Sequence, residues 1–113
     1  MPYILYSVLR VPHEVAPIDP ECKYPHPFLI HEVASNGAYA LAISTKIETY
    51  YNERQDFRIY KDEGGFSTTG LDQDSFIKNQ DFFIDNAHVG KVQQIGEFSG
   101  ELLVRFIEYQ KRF

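Results

Sequence analysis

The chain has 113 residues, with eleven basic and sixteen acidic side chains and a formal net charge of −5. This length supports one hydrophobic core, so we predict a single domain spanning residues 1–113. The acidic balance argues against tight nonspecific binding to polyanions, because such binding depends on many basic side chains. With one cysteine, no leader and no apolar run of about 18 residues, we predict a cytoplasmic protein that does not enter a membrane.

The first half of the chain predicts strands. Eight Tyr and nine Phe without any Trp favour a β-rich fold. Tyr3–Leu9 predicts a first strand, because it is rich in aromatic and branched residues and lacks helical periodicity. Five prolines within 12–27 predict a long connection. Two more strands, 28–33 and 38–44, flank Asn36-Gly37, a pair typical of tight hairpin turns.

The second half mixes short strands with loops. Glu48–Gln55 is polar apart from two tyrosines and predicts an exposed loop or a frayed strand end. Phe57–Lys61 alternates apolar and polar side chains and predicts a half-buried strand, in which Arg58 and Tyr60 share the outer face. Two short strands are predicted at 75–77 and 81–84.

The last predicted element is an amphipathic helix that starts near Ser99. The Ser99 hydroxyl is expected to cap the first turn by accepting from its free amides. Phe98 and Leu103 have the spacing of a hydrophobic staple. An apolar stripe predicts that the helix packs on the sheet, and it consists of Leu102, Leu103, Phe106 and Ile107.

Positive charge concentrates in the middle of the chain. Residues 23–61 carry five basic and four acidic side chains, whereas residues 62–113 carry five basic and nine acidic ones. A solvated face of mixed charge would have the same composition. If this segment meets RNA, the predicted contacts are Lys23, Lys46, Arg54 and Arg58. Tyr50 and Tyr51 are candidates either for stacking on unpaired bases or for packing in an interface or core.

Four short motifs follow one another in a recognisable order. They are Pro27–Ile30, Ala40–Lys46, Gly70-Leu71 with Ser75-Phe76-Ile77, and Ile95–Ser99. In this order the chain resembles the MazF/PemK (Kid-like) family of toxin endoribonucleases over roughly residues 25–111. The resemblance implies a β-rich α+β fold, namely a small SH3-like barrel built from a strongly bent antiparallel sheet with a C-terminal α-helix. It also implies a homodimer.

The resemblance further implies a function. Family members are toxins of type II toxin-antitoxin pairs that cleave single-stranded RNA without a metal or other cofactor. A cognate antitoxin, acidic and partly disordered, neutralises them. The alternative is a MazF-like barrel that is catalytically silent and binds a protein or RNA.

The candidate catalytic residues follow from the same comparison. The Arg-Pro pair of the family is His26-Pro27 here, and its Thr/Ser pair at the end of the next strand is Ser44-Thr45. Metal-independent RNA cleavage needs a base, an acid and donors to the phosphate. The resemblance therefore implies catalytic roles for His26, Ser44 and Thr45, with Lys46 supplying charge. Histidine replaces a permanent cation with a group that titrates near neutrality.

Plainer interpretations of these residues stay open. His26 lies between two prolines and is also typical of a surface loop. Ser44 and Thr45 are also typical of a strand end whose hydroxyls bind the backbone. Cys22, His26 and His31 lie close in sequence, but two histidines an odd number of positions apart on one strand face opposite sides. We therefore predict no metal site.

Overall fold

The aromatic and branched segments form one antiparallel sheet in the computed structural model, which describes residues 3–17 and 24–112. Its strands are β1 (Ser7–Val11), β2 (His26–Ala34), β3 (Gly37–Ser44), β4 (Phe57–Ile59), β5 (Ser75–Asp85) and β6 (Gln93–Glu97). The helices are α1 (Ile47–Tyr50) and α2 (Gly100–Gln110), and 3₁₀ turns occur at Phe66–Thr68 and Asn86–Lys91. The strand order across the sheet is β4-β5-β3-β2-β1-β6.

The hairpin of β2 and β3 forms at the predicted place. Ala34 pairs with Gly37, so that the two-residue turn consists of Ser35 and Asn36. Gly37 itself lies in the strand. A Cβ there would lie 2.4 Å from the carbonyl oxygen of Ile84 and 2.5 Å from a ring atom of Phe83. Glycine is therefore required for the close approach of β5.

Three irregularities in strand pairing bend the sheet. They lie between Val8 and Leu9 in β1, between Ile30 and Glu32 in β2, and between Leu41 and Ile43 in β3. A β-bulge bends its strand and increases the local twist. The result is a six-stranded half-barrel with a C-terminal helix. This confirms the predicted fold class, a small β-rich α+β protein with a strongly bent antiparallel sheet.

Helix α2 covers one face of the sheet. The ring of Phe106 packs edge-to-face against Phe57 and Phe98, with centroids 5.3 Å and 5.7 Å away. Leu29 of β2 and Leu41 of β3 contribute to the same buried cluster. These contacts confirm the prediction that the helix packs on the sheet. Packing removes the apolar stripe from water, which stabilises the fold.

A second buried cluster lies on the opposite face. Phe28 and Ile30 of β2 alternate with Leu29 and therefore point away from α2. Tyr3 and Ala16, from segments on either side of β1, belong to this cluster. Its remaining buried members are Leu9, Val11, Ala38, Ala40, Ala42 and Ile84.

The first predicted strand starts later than expected. β1 begins at Ser7 because Tyr6 has a φ of 65°, in the left-handed region, which interrupts an extended strand. The Tyr6 amide donates to the carbonyl of Ile30, at 2.8 Å. The aromatic composition of this segment serves packing rather than strand pairing. Tyr3 is buried, and its hydroxyl donates to the carbonyl of Asp85 at 2.7 Å.

Three further predictions are corrected. The two short strands at 75–77 and 81–84 are one continuous strand, β5, because β3 pairs with it along most of its length. The segment Gln93–Glu97 was not predicted as a strand, yet it pairs with β1 at the edge of the sheet. The polar stretch Glu48–Gln55 overlaps the helical turn α1 and is not a strand end. Its exposure is as predicted.

Helix α2 begins as predicted but is capped differently. Ser99 occupies the position before the first turn, yet its side chain makes no capping hydrogen bond. Its hydroxyl instead lies 2.7 Å from the hydroxyl of Thr68. The amide of Leu102 donates to the carbonyl of Gly64 at 2.9 Å, so a neighbouring loop satisfies one free amide. Within the described residues, no helix is long and apolar enough to cross a membrane.

Candidate functional site

The structure brings His26 and Ser44 to the same end of the β2–β3 hairpin. His26 is the first residue of β2 and Ser44 the last of β3, so both lie opposite the hairpin turn. Phe28 pairs with Ala42, and His26 lies two positions before Phe28, while Ser44 lies two positions after Ala42. Because a two-residue step along a strand returns to the same face, the side chains of His26 and Ser44 are on the same face of the sheet. Both side chains are half-buried, and His26 takes part in contacts of its own.

Ser44 redirects the chain at the end of β3. Its hydroxyl oxygen accepts from the backbone amide of Lys46 at 3.1 Å. The amide of Ile47 donates to the carbonyl of Thr45 at 2.9 Å, and α1 begins there. This local turn leaves Thr45 and Lys46 exposed. A hydroxyl that accepts from an amide still has its own proton to donate.

An open cleft of about 1010 Å³ lies beside this turn. It forms where the end of β3, the end of β4 and the start of β5 meet, because Ser44 pairs with Phe76 and Ile59 pairs with Ser75. Its lining is polar and consists of Thr45, Lys46, Ile47, Glu48, Thr49, Tyr60, Lys61, Asp62, Gln73 and Asp74.

Charges of both signs line the cleft. Its lysines are Lys46 and Lys61, and its carboxylates are those of Glu48, Asp62 and Asp74. The Asp74 carboxylate accepts from the backbone amide of Lys61 at 2.7 Å and lies 3.7 Å from the guanidinium of Arg58. The negative charge of Asp74 is therefore partly neutralised. Lys46 and Lys61 form no ion pair within the part of the chain that the structure describes.

Arg58 lies next to the cleft residue Asp74 and among aromatic rings. Its guanidinium carbon is 5.0 Å from the centroid of the Tyr60 ring and 5.7 Å from that of Tyr51. The Nε of Arg58 is buried and has no hydrogen-bond partner among the described residues. Burial raises the pKa of Tyr51 above its usual value, and the neighbouring Tyr60 adds to the rise, so its phenol stays neutral at physiological pH.

The predicted site residues separate into groups. Thr45 and Lys46 line the cleft, and Arg58 lies 3.7 Å from Asp74, which belongs to the lining. Among the described residues, His26 and Ser44 do not line it, although Ser44 is joined to Thr45. Arg54 lies in an exposed turn, where its amide donates to the side chain of Asn52 at 3.0 Å. Lys23 lies outside the described residues.

Two residues of the cleft lining, Gln73 and Asp74, were not predicted from the sequence. They precede the motif Ser75-Phe76-Ile77, and nothing else in the sequence indicated that they line a cleft. Tyr60 was placed correctly on the outer face with Arg58, but its position in one cleft with Thr45 required the pairing of β5 with both β3 and β4.

A second polar cluster lies on the face that α2 covers. The Nε2 of His31 contacts the carboxylate of Asp81, and the side-chain amide of Gln110 lies 3.3 Å from Nδ1. These residues border a small cavity of about 210 Å³. His31 is thus engaged on the helix side. Within residues 3–17 and 24–112, no three His, Cys, Asp or Glu side chains converge as a metal site, and Cys22 lies outside these ranges.

A comparison with protein-family models found no match. A search of curated proteins also found no significant match. The fold and the cleft define the class of protein, which is a small bent-sheet α+β protein with an open polar cleft at one end of the sheet. Membership of the MazF/PemK family stays a prediction from the ordered motifs.

Proposed function

We propose that the protein is a MazF/PemK-like toxin of a type II toxin-antitoxin pair, a metal-independent endoribonuclease that cleaves single-stranded RNA. In this proposal it acts as a homodimer in the cytoplasm and a cognate antitoxin neutralises it. One observation supports the proposal above the others. His26, Ser44 and Thr45 lie at one end of the β2–β3 hairpin, and Thr45 also lines an open cleft.

The proposed chemistry assigns a role to each residue. His26 accepts the proton of a ribose 2′-hydroxyl, whose oxygen attacks the adjacent phosphorus. The bond from phosphorus to the 5′ oxygen then breaks, which leaves a 2′,3′-cyclic phosphate, and the departing 5′ oxygen takes up a proton from water. Thr45 and Lys46 donate to the phosphate oxygens, where negative charge develops in the transition state. Ser44 holds the turn that presents them, through its bond to the Lys46 amide.

The charge of the cleft favours a second candidate, a catalytically silent module that binds a protein or RNA. Glu48 and Asp62 oppose phosphate at the cleft, and Asp74 lies against the nearby Arg58. Histidine at position 26 also lacks the forked, permanent charge with which arginine holds a phosphate. A basic segment of a protein partner would suit these carboxylates.

Cleavage of a long, mostly unpaired RNA in the presence of a chelator tests the proposal. The proteins compared are wild type, His26→Ala and His88→Ala. His88 is a matched control because it lies in the 3₁₀ turn Asn86–Lys91, beside the hairpin turn at the other end of the sheet, where the amide of Asn86 donates to the carbonyl of Asn36 at 3.0 Å.

The proposal expects discrete fragments from wild type and His88→Ala, and intact RNA from a folded His26→Ala. Equal cleavage by all three proteins would remove His26 from the mechanism. Intact RNA with folded wild type would reject the endoribonuclease and favour the binding module. Circular dichroism of each protein verifies that it is folded.

A further inference from the structure

Tyr60 presents an aromatic ring to the cleft. It follows β4 directly, lines the cleft and is 44% exposed. An exposed aromatic ring in a polar cleft has apolar surface that no packing within the fold covers. Two guanidinium groups lie over the ring, with the carbon of Arg58 5.0 Å and that of Arg105 5.5 Å from its centroid, so a ligand can stack only on the part of the ring that they leave exposed.

The backbone around Tyr60 is held in place from two sides. The amide of Tyr60 donates to Oε1 of Glu63 at 3.2 Å. The Nε of Arg105, in α2, donates to Oε2 of the same carboxylate at 3.0 Å, and its Nη2 donates to the carbonyl of Arg58. The guanidinium of Arg105 also stacks on Phe57, with 4.2 Å between its carbon and the ring centroid. Binding of a ligand to Tyr60 therefore orders little of the protein, and this part of the entropic cost of binding is small.

Two lysines line the same cleft as this ring. Lys61 follows Tyr60 in sequence, and Lys46 follows Thr45 after the end of β3. Within the described residues neither has an acidic partner, so both can reach phosphate oxygens. Of the carboxylates on the cleft, Asp74 is held by the Lys61 amide and by Arg58, whereas Glu48 and Asp62 oppose phosphate, so the two lysines must outweigh them locally. An aromatic surface beside cations matches a nucleotide strand, whose bases stack and whose phosphates bind cations.

We propose that Tyr60 is the stacking platform for one unpaired base of an RNA strand in this cleft, with Lys46 and Lys61 contacting the adjacent phosphates. The inference rests on the proposed action on single-stranded RNA and specifies where the strand binds. The base must be unpaired, because in a duplex its faces are covered by neighbouring bases. Stacking on a tyrosine ring is tolerant of sequence, so this subsite supplies affinity and register and does not select one base.

Binding of a fluorescently labelled 2′-O-methyl RNA oligonucleotide tests the inference, measured by anisotropy at one salt concentration. The missing 2′-hydroxyl prevents cleavage, so binding is read separately from catalysis. The variants are Tyr60→Ala, Tyr60→Phe and Phe83→Ala. Phe83 is a matched control, because it is 39% exposed, it is not part of the cleft lining, and it pairs with Tyr39 near the hairpin turn at the other end of the sheet.

We expect Tyr60→Ala to weaken binding by about 5- to 150-fold, as for the loss of one stacked base. Tyr60→Phe keeps the ring and should bind within about twofold of wild type, as should Phe83→Ala. Unchanged binding by Tyr60→Ala, or equal losses in Tyr60→Ala and Phe83→Ala, would overturn the inference.

The proposed function can fail separately from this inference. Unchanged oligonucleotide binding by Tyr60→Ala, together with chelator-resistant cleavage by wild type, would reject the stacking site alone. A wild-type protein that binds no oligonucleotide and cleaves no RNA would reject both proposals. Thermal unfolding of each variant verifies that a loss of binding is not a loss of fold.

Discussion

The guanidinium of Arg105 donates to the main-chain carbonyl of Arg58 and thereby ties helix α2 to the edge strand β4. The same side chain binds the carboxylate of Glu63, whose oxygen accepts from the amide of Tyr60. The helix consequently supports one wall of the cleft without lining it. A change in the helix should therefore affect both stability and the cleft.

We expect Arg105→Ala to lower the free energy of unfolding by about 2 kcal/mol, because it removes charge-assisted bonds to Glu63 and to the Arg58 carbonyl. Arg105→Lys should recover only part of this, since an ammonium cannot reproduce the fork of a guanidinium. Urea unfolding measures the difference. Arg112→Ala, at an exposed position, should change stability by less than about 0.5 kcal/mol. Equal stabilities of the Arg105 and Arg112 variants would contradict the role of this contact.

Phe106 is the centre of the core beneath α2. Its ring contacts those of Tyr6, Phe57 and Phe98, and its side chain is fully buried. Phe106→Ala should cost about 3–5 kcal/mol of stability, from lost burial and from the cavity left behind. Val104→Ala is the control in the same helix, because Val104 is 63% exposed and alanine favours helices. Chemical denaturation should show a large loss for the first variant and almost none for the second.

Gly96 allows β6 to approach the loop that follows the first 3₁₀ turn. A Cβ at this position would lie 2.3 Å from the carbonyl oxygen of Thr68 and 2.3 Å from the carbonyl carbon of Thr69. Gly96→Ala should therefore destabilise the fold by about 1–3 kcal/mol, through forced backbone movement. Gly90→Ala is the matched control, because nothing lies within 4 Å of its added methyl group. A similar melting temperature for both variants would show that this approach is not tight in solution.

Tyr109 should make stability fall at high pH. Burial, with a smaller effect of Asp56, raises the pKa of Tyr109 from 10.0 to about 12. Its hydroxyl donates to the carbonyl of Gln55, a bond that needs the neutral phenol. Below pH 10 both the folded and the unfolded chain keep the proton, so this stabilisation is complete. As pH rises from about 10 through 12, the unfolded chain loses the proton first and stability falls.

Denaturant unfolding between neutral pH and pH 12 measures this effect for wild type and Tyr109→Phe. The phenylalanine variant should be less stable near neutrality by about 1 kcal/mol, from the lost hydrogen bond. Its stability should also decline less steeply in the alkaline range. Parallel declines in the two proteins would assign the alkaline loss to other groups.

Thr45 and Ser44 should have different roles in cleavage. Thr45 is exposed on the cleft, whereas the Ser44 hydroxyl accepts from the Lys46 amide. Thr45→Ala should reduce the cleavage rate by about 100-fold, if its hydroxyl donates to the transition state, and leave stability unchanged. Ser44→Ala should lower stability by about 1 kcal/mol. Single-turnover cleavage and urea unfolding of both variants separate the two roles. A slower rate for Ser44→Ala, together with a stability loss for Thr45→Ala, would contradict this assignment.

The sequence predicted the hairpin and helix α2, because these elements depend on residues that are close together in the chain. The Asn36-Gly37 pair placed the hairpin, and the apolar stripe placed α2, because turn chemistry and helical period act within a few residues. The side chain of Ser99 failed as a cap for a reason that sequence does not show. Thr68, which lies 31 positions away, engages its hydroxyl.

Pairing over long distances decided the remaining elements. Polar residues within β5 obscured its continuity, and pairing with the neighbouring strands β3 and β4 holds it extended. β6 likewise depends on β1, since residues 93–97 lack a clear strand pattern of their own.

The sequence by itself determined the class of fold, through its aromatic content, its hairpin and its amphipathic helix. It also indicated His26, Ser44 and Thr45 as candidate residues. Only the tertiary structure decided that Tyr60 and Asp74 line one cleft together with Thr45. The physical reason is register. The pairs of Ser44 with Phe76 and Ile59 with Ser75 depend on burying both faces of a bent sheet, and no local pattern specifies such distant partners.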